Sequence, residues 1–162
     1  MGYVLPWHAD TDVLSGVATV VLDRVQDAGN VGSILRSASA FGFRQVVALK
    51  GAAALWSQKV LRAGMGAHFG LHLVEGASVE QVQALQLPLI TTSSHQGALI
   101  QNTQLPWPCA WAMGHEGQGV SEVLQSMSSL SVRIGQPGGE ESLNVAAAAA
   151  ICLHASAISQ PV

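Results

Sequence analysis

Residues 17–49 read VATVVLDRVQDAGNVGSILRSASAFGFRQVVAL, and their rhythm points to a parallel α/β sheet. Val17 to Leu22 is a continuous β-branched and apolar run, the pattern of a strand covered on both faces. Ile34, Leu35, Ala38 and Phe41 recur at helical spacing, which predicts a helix over Asn30 to Phe41. Gly42 follows the last apolar position, where a left-handed residue can stop a helix at little steric cost. Gln45 to Leu49 is a second apolar run of strand length. Strand, helix and strand joined this closely form a βαβ unit, whose two strands run parallel with a right-handed crossover.

The alternation continues outward from that unit. Ser57 to Ala63 reads as a short helix, Leu71 to Val74 as a strand and Ser78 to Leu85 as a helix. Strands are expected at Leu87 to Thr92, Ala110 to Met113 and Leu130 to Ile134, before an alanine-rich helix over Ser142 to Ile158. The expected fold class is α/β, a mostly parallel sheet with helices on both faces, in one domain from residue 17 to residue 162. Residues 1–16 lack periodicity and read as a leading segment, the remnant of a linker.

Composition bounds the function. Hydrophobic residues make up 49% of the 162 and charged residues 10%, so much of the chain must be buried, in a covered sheet or an oligomer interface. Seven Lys and Arg stand against ten Asp and Glu, for a formal charge of -3. That balance is poor for gripping nucleic acid, whose affinity rests on phosphate contacts, so an RNA ligand would need a local basic patch, a second subunit or another domain. Cys109 and Cys152 lie in apolar surroundings and are too few for a thiolate metal site, which fits a reducing cytosol. No secretory signal is present, and the run Val145 to Leu153 is too short to span a bilayer, so a soluble cytoplasmic protein is expected.

Ligands of open parallel sheets bind beyond the carboxyl ends of the strands. Three loops expected there are rich in glycine and polar residues. In the first, Asp27 to Gly32, Asn30 suits a helix N-cap and Arg36 lies six residues on. Taken alone, Asn30 can be only a cap and Arg36 only a partner for Asp23 or Asp27. In the second, Gly114 to Ser121, the glycine spacing matches neither a dinucleotide fingerprint nor a phosphate loop with its lysine, which disfavours a nucleoside triphosphate. Glu116 sits in its middle. In the third, Gly135 to Asn144, Ser142 or Glu141 can cap the final helix, while Asn144 offers both a donor and an acceptor in its first turn.

The trio Asn30-x-Gly32-xxx-Arg36, Gly114-x-Glu116-Gly117-x-Gly119-x-Ser121 and Glu141-Ser142-Leu143-Asn144-Val145 resembles the SpoU (TrmH-type) branch of the SPOUT methyltransferases, from about Val17 to the last helix. The resemblance implies a C-terminal trefoil knot whose loops hold S-adenosylmethionine, and two subunits that complete each other's active sites. Carried onto this chain, the cofactor would lie against Thr92, Met113, Gly114, Ile134, Ser142 and Leu143. Asn30, Arg36, Glu116, Ser142 and Asn144 match the family's catalytic or substrate-positioning residues. The implied activity is transfer of a methyl group to a ribose 2′-hydroxyl of structured RNA, transfer or ribosomal, without a metal. Two departures stand out: His115, where relatives commonly have asparagine, and Ile134-Gly135-Gln136 in place of Ile-Pro-Met.

Methyl transfer from a sulfonium is an in-line displacement that needs alignment and removal of a proton. Relatives are usually described with the residue matching Arg36 as the base, yet deprotonating a guanidinium at neutral pH costs on the order of 7 kcal/mol. A fixed cation that stabilises the developing alkoxide is the better physical role. Arg24, Arg36, Arg44, Lys59 and Arg62 are the candidate RNA contacts, with Lys50 and Arg133 also basic and Gly64-Met65-Gly66 resembling a mobile substrate loop. Each could equally be a solvated cation. His68 and His72 are four apart, but the sequence between them enters a strand, which disfavours a metal. His95 is a loop residue that could touch a ligand. Trp107 and Trp111 are expected in a core or dimer face. A knotted RNA-binding or dimerisation module without activity is the competing reading, against which the intact Asn30, Arg36, Glu116, Ser142 and Asn144 speak. The acidic balance predicts weak RNA binding by this chain alone, as a fragment or a dependent domain.

Overall fold

A computed structural model describes residues 12–139 and 142–160. Most of the leading segment and Glu141 lie outside the described residues. Seven strands form one sheet in the order β3-β2-β1-β6-β4-β7-β5, and every neighbouring pair is parallel. They are β1 (Thr19–Asp23), β2 (Gln45–Leu49), β3 (His72–Ala77), β4 (Leu89–Thr92), β5 (Ala98–Leu99), β6 (Ala110–Gly114) and β7 (Leu130–Arg133). The helices are α1 (Ala28–Ala40), α2 (Gln58–Gly64), α3 (Val79–Gln83), α4 (Glu122–Met127) and α5 (Val145–Ile158). The two-residue β5 and the helix α4 were not expected from the sequence.

Alternating side chains divide the interior into two cores. On one face Val20 and Leu22 of β1, Val46 and Ala48 of β2 and Trp111 and Met113 of β6 pack with α1, α2 and α5. On the other, Val21, Val47, Leu49, Ala110 and Ala112 pack with Val82 and Leu85 near α3 and Leu124 of α4. This double covering is what the unbroken apolar runs required. Gly32 brings α1 and α2 together: a Cβ there would overlap the Ala63 methyl and lie 2.9 Å from the Gly64 amide nitrogen. Trp111, fully buried on β6, donates its indole N–H to Ser156 Oγ of α5 at 2.8 Å. Trp107 by contrast stands at the surface, edge-on to Phe43.

Helix starts differ from expectation. Asp27, not Asn30, is the N-cap of α1, its carboxylate accepting from the Asn30 amide at 2.8 Å. A carboxylate at the positive end of the helix is the stronger acceptor, which moves the helix start back and leaves the Asn30 side chain uncommitted to capping. Asn144 rather than Ser142 or Glu141 caps α5, accepting from the amides of Ala146 and Ala147. Gly42 does take a positive φ of 86° just past α1, as a helix stop requires.

Because all strands are parallel, Asp23, Thr92, Gly114 and Arg133 end at the same edge of the sheet, on the adjacent strands β1, β6, β4 and β7. The loops that follow them are therefore neighbours in space although they are far apart in sequence. Beyond β7 the chain runs past Leu99 and Gln101 at Gly135, and α5 then crosses back to pack on α1. α5 is mostly apolar, and Ala147, Ile151, His154 and Ile158 are exposed along one stripe. No helix among the described residues is long and apolar enough to cross a membrane.

Candidate active site at the strand ends

The loops after β4, β6 and β7 line a cavity of about 590 Å³, within the range typical of cofactor sites, and the loop after β1 lies beside it without entering the wall. All six residues expected to face a cofactor line it: Thr92, Met113, Gly114, Ile134, Ser142 and Leu143. Gly114 has no alternative, since a Cβ there would occupy the backbone of Gly119 and Val120. Ser93, Gln96, Gln125 and Ser131 also contribute to the wall, as does Gln136, one of the departures in the third loop. Ser93 and Gln96 follow β4, whereas Ser131 lies within β7 and Gln125 within α4, where no sequence signal marks them.

Glu116 lines the cavity and joins it to the start of α1. Its carboxylate accepts from the backbone amides of Gln26 at 3.3 Å and Asp27 at 3.1 Å, and from Asn30 Nδ2 at 3.5 Å. Asn30 Oδ1 in turn accepts from Asn144 Nδ2 at 3.0 Å. Three residues separated by 86 and 114 positions thus form one hydrogen-bonded chain, Glu116 to Asn30 to Asn144. Burial pushes the Glu116 carboxyl up, but the amides of Asp27, Glu116 itself and Gln26, together with the Asn30 side chain, outweigh it and hold the group below its usual range. Glu116 is therefore a carboxylate at neutral pH and a weak proton acceptor.

The loop that carries Glu116 is fixed from below. Asp23, buried at the end of β1, accepts from the Ser121 amide at 2.6 Å and from Arg24 Nε at 3.1 Å. Arg24 adopts a left-handed φ of 64° and reaches Gln118 Oε1 at 2.9 Å and the Gly119 carbonyl at 3.3 Å. These donors brace the second loop. Neither Asp23 nor Asp27 pairs with Arg36, since Asp23 binds Arg24 and Asp27 caps α1. Only the left-handed backbone at Arg24 turns its side chain toward the loop, and no sequence pattern announces that.

Arg36 is exposed on α1 and is not part of the cavity wall. Lys59 and Arg62 are exposed on α2, and Arg44 is exposed with Nη1 on the Ser39 carbonyl. Met65 and Phe69 protrude just beyond α2, 71% and 80% exposed, where the substrate loop was expected. His95 is exposed and does not line the cavity. His68 is buried with Nε2 on the Leu55 carbonyl, and the His72 ring meets the Asp12 carbonyl, so the two serve different neighbours. Burial raises the thiols of Cys109 to about 11 and Cys152 to about 12, which keeps both protonated and unreactive.

A parallel sheet whose strand-end loops close around one cavity, with an amide and carboxylate cluster at its rim, defines an α/β domain built to bind a small polar molecule. The chain belongs to the SpoU rRNA Methylase family, which matches residues 18–154. It is 34% identical over 151 residues to the 23S rRNA (guanosine(2553)-2′-O)-methyltransferase RlmP of Bacillus subtilis, covering 91% of this chain and 61% of that protein. Among solved structures it resembles a putative RNA methyltransferase of the TrmH family from Porphyromonas gingivalis, with 32% identity and a TM-score of 0.80 over 90% of this chain and 61% of that one. The SpoU methyltransferase AviRb from Streptomyces viridochromogenes, in complex with the cofactor AdoMet, matches with 28% identity and a TM-score of 0.80, again over 90% and 61%. The chain thus spans about six-tenths of the length of these relatives.

Proposed function

We propose that this domain transfers a methyl group from S-adenosylmethionine to a ribose 2′-hydroxyl of RNA, with ribosomal RNA as the substrate class, and that it works in the cytoplasm as a homodimer. The observation that carries the reading is the chain Glu116–Asn30–Asn144 at the rim of a cavity lined by Thr92, Met113, Gly114, Ile134, Ser142 and Leu143. The names of the relatives supply the substrate class. The cavity suits the cofactor: it has the volume, a glycine where backbone must lie close, and a polar rim beside the apolar Ile134 and Leu143.

S-adenosylmethionine brings an electrophilic methyl group on a sulfonium, so the protein's own task is to align the hydroxyl and accept its proton. Met113, Gly114, Ile134, Ser142 and Leu143 would hold the cofactor. Asn30 and Asn144, fixed by each other and by Glu116, present amides at the rim for orienting the ribose. Arg36 does not line the cavity of its own subunit, and in this reading the arginine at each site comes from the second copy and stabilises the oxygen as it loses its proton. The exposed stripe Ala147, Ile151, His154 and Ile158 on α5 is the face that the second copy covers, since its two isoleucines are otherwise left in water. The C-terminal knot belongs to the same reading, supported by the close passage of Gly135 against Leu99. Arg44, Lys59 and Arg62 are the RNA-facing cations.

The test is calorimetry with S-adenosylmethionine followed by transfer of labelled methyl groups to ribosomal and transfer RNA, with mapping of the product. Cofactor binding with a 2′-O-methyl product on ribosomal RNA is expected. Absence of cofactor binding would overturn the reading, and binding without transfer to either RNA would mark an inactive module.

A further inference from the structure

The second loop is closed by a feature that the proposed chemistry does not use. Its ends pair through His115 N–H to the Gly119 carbonyl at 3.1 Å and Gly119 N–H to the His115 carbonyl at 2.8 Å. Inside that closure the amides of Gly117 and Gln118 both turn toward one atom, His115 Nδ1, at 3.0 and 3.1 Å. A ring nitrogen that accepts hydrogen bonds carries no proton, so the imidazole is neutral with its hydrogen on Nε2. The ring then has no lone pair left for a substrate proton, which removes His115 as the base of the reaction although it lines the cavity. What the ring does is hold the tip of the loop, residues 116–118. The two neighbouring side chains there, Glu116 and Gln118, make the contacts to α1 and to Arg24.

We infer that His115 is a positioning residue: its ring Nδ1, by accepting from the Gly117 and Gln118 amides, sets the loop that presents Glu116 to Asn30. Asp23, Arg24, Asp27 and Glu116 are all engaged with other partners, so none of them can replace the ring at the Gly117 and Gln118 amides. Asparagine can, because its Oδ1 sits at a comparable distance from the backbone and does not titrate.

The consequence for methyl transfer rests on the function proposed above, but the central test does not. Ring-nitrogen resonances of His115 and hydrogen-exchange protection factors of the Gly117 and Gln118 amides are measured by NMR at pH 8, in the full chain and in His115→Asn, His115→Ala and His115→Phe. The expected result is the Nε2–H form of the ring. Protection at both amides should stay within about threefold in His115→Asn and fall at least about tenfold in His115→Ala and His115→Phe. If His115→Phe fails to fold, the comparison of His115→Ala with His115→Asn decides. An Nδ1–H ring, or protection in His115→Ala equal to that of the natural chain, overturns the inference. As a second readout, kcat/KM should fall at least about tenfold in His115→Ala and be partly restored in His115→Asn, which keeps an acceptor for the two amides. If no methyl transfer is found at all, the exchange result still stands or falls by itself.

Discussion

Asn144 makes two kinds of contact, and they can be separated by substitution. Its Oδ1 caps α5 through the Ala146 and Ala147 amides at 2.9 and 3.1 Å, and its Nδ2 donates to Asn30 at 3.0 Å. Asn144→Ala removes both. Loss of the cap costs about 1 kcal/mol, and loss of one exposed side-chain hydrogen bond adds about 0.5 kcal/mol at the low end of the usual range. For a domain of this size, about 1.5 kcal/mol lowers the melting temperature by roughly 3 to 6 °C. Asn144→Ser keeps a capping oxygen and loses only the donor to Asn30, so its melting temperature should fall by no more than about 2 °C. Activity should not follow stability. Both variants free Asn30, and kcat/KM for methyl transfer should fall at least about tenfold in each, equivalent to about 1.4 kcal/mol of alignment. Thermal unfolding and single-turnover methylation, run on the same preparations, read the two effects independently. Full activity in Asn144→Ser would refute the argument that the Asn144–Asn30 contact aligns the site, and an unchanged melting temperature in Asn144→Ala would refute the cap.

Gly114→Ala forces a methyl group into the backbone of Gly119 and Val120, so it should destabilise the chain by about 1–3 kcal/mol or more and abolish cofactor binding measured by calorimetry. Ser156→Ala leaves the buried Trp111 N–H without its acceptor and should lower the unfolding free energy by about 1–3 kcal/mol in urea titrations, with cofactor affinity retained. Glu116 has a folded pKa below its ordinary value, so its contribution is complete above the ordinary glutamate range and is lost as pH falls through the depressed folded value. The stability advantage of the natural chain over Glu116→Gln should therefore be constant from pH 6 to pH 8 and shrink toward pH 3; an advantage that grows with acidity would contradict the sign. Ile151→Lys places a charge on the exposed stripe of α5 and should give a monomer in sedimentation velocity, folded but inactive.

The sheet was legible because its strands are buried on both faces, and a run such as Val17 to Leu22 has no other economical explanation. Strand ends followed from it, and with them the gathering of the three polar loops. The exact helix starts were not legible. Asp27 and Asn30 are both good caps, and only the tertiary contact to Glu116 and Asn144 shows which one is otherwise engaged. The same holds for Asn144 against Ser142. The bracing role of Arg24 was not legible either, since it depends on a left-handed backbone that turns the side chain onto Gln118 and Gly119. β5 and α4 are too short to carry a periodic signal. His115 was visible only as an unusual residue, since the inward turn of two amides is a property of the folded loop.

The contact between Asn30 and Asn144 joins the first helix of the domain to the last across 114 positions. During synthesis the pocket therefore has no precursor: a nascent chain that has emerged only as far as β7 possesses the sheet but not the rim. Such distant pairings form late in folding. A chain cut short of Asn144 should be silent rather than weakly active, because the hydrogen-bonded series that begins at Glu116 then stops at Asn30.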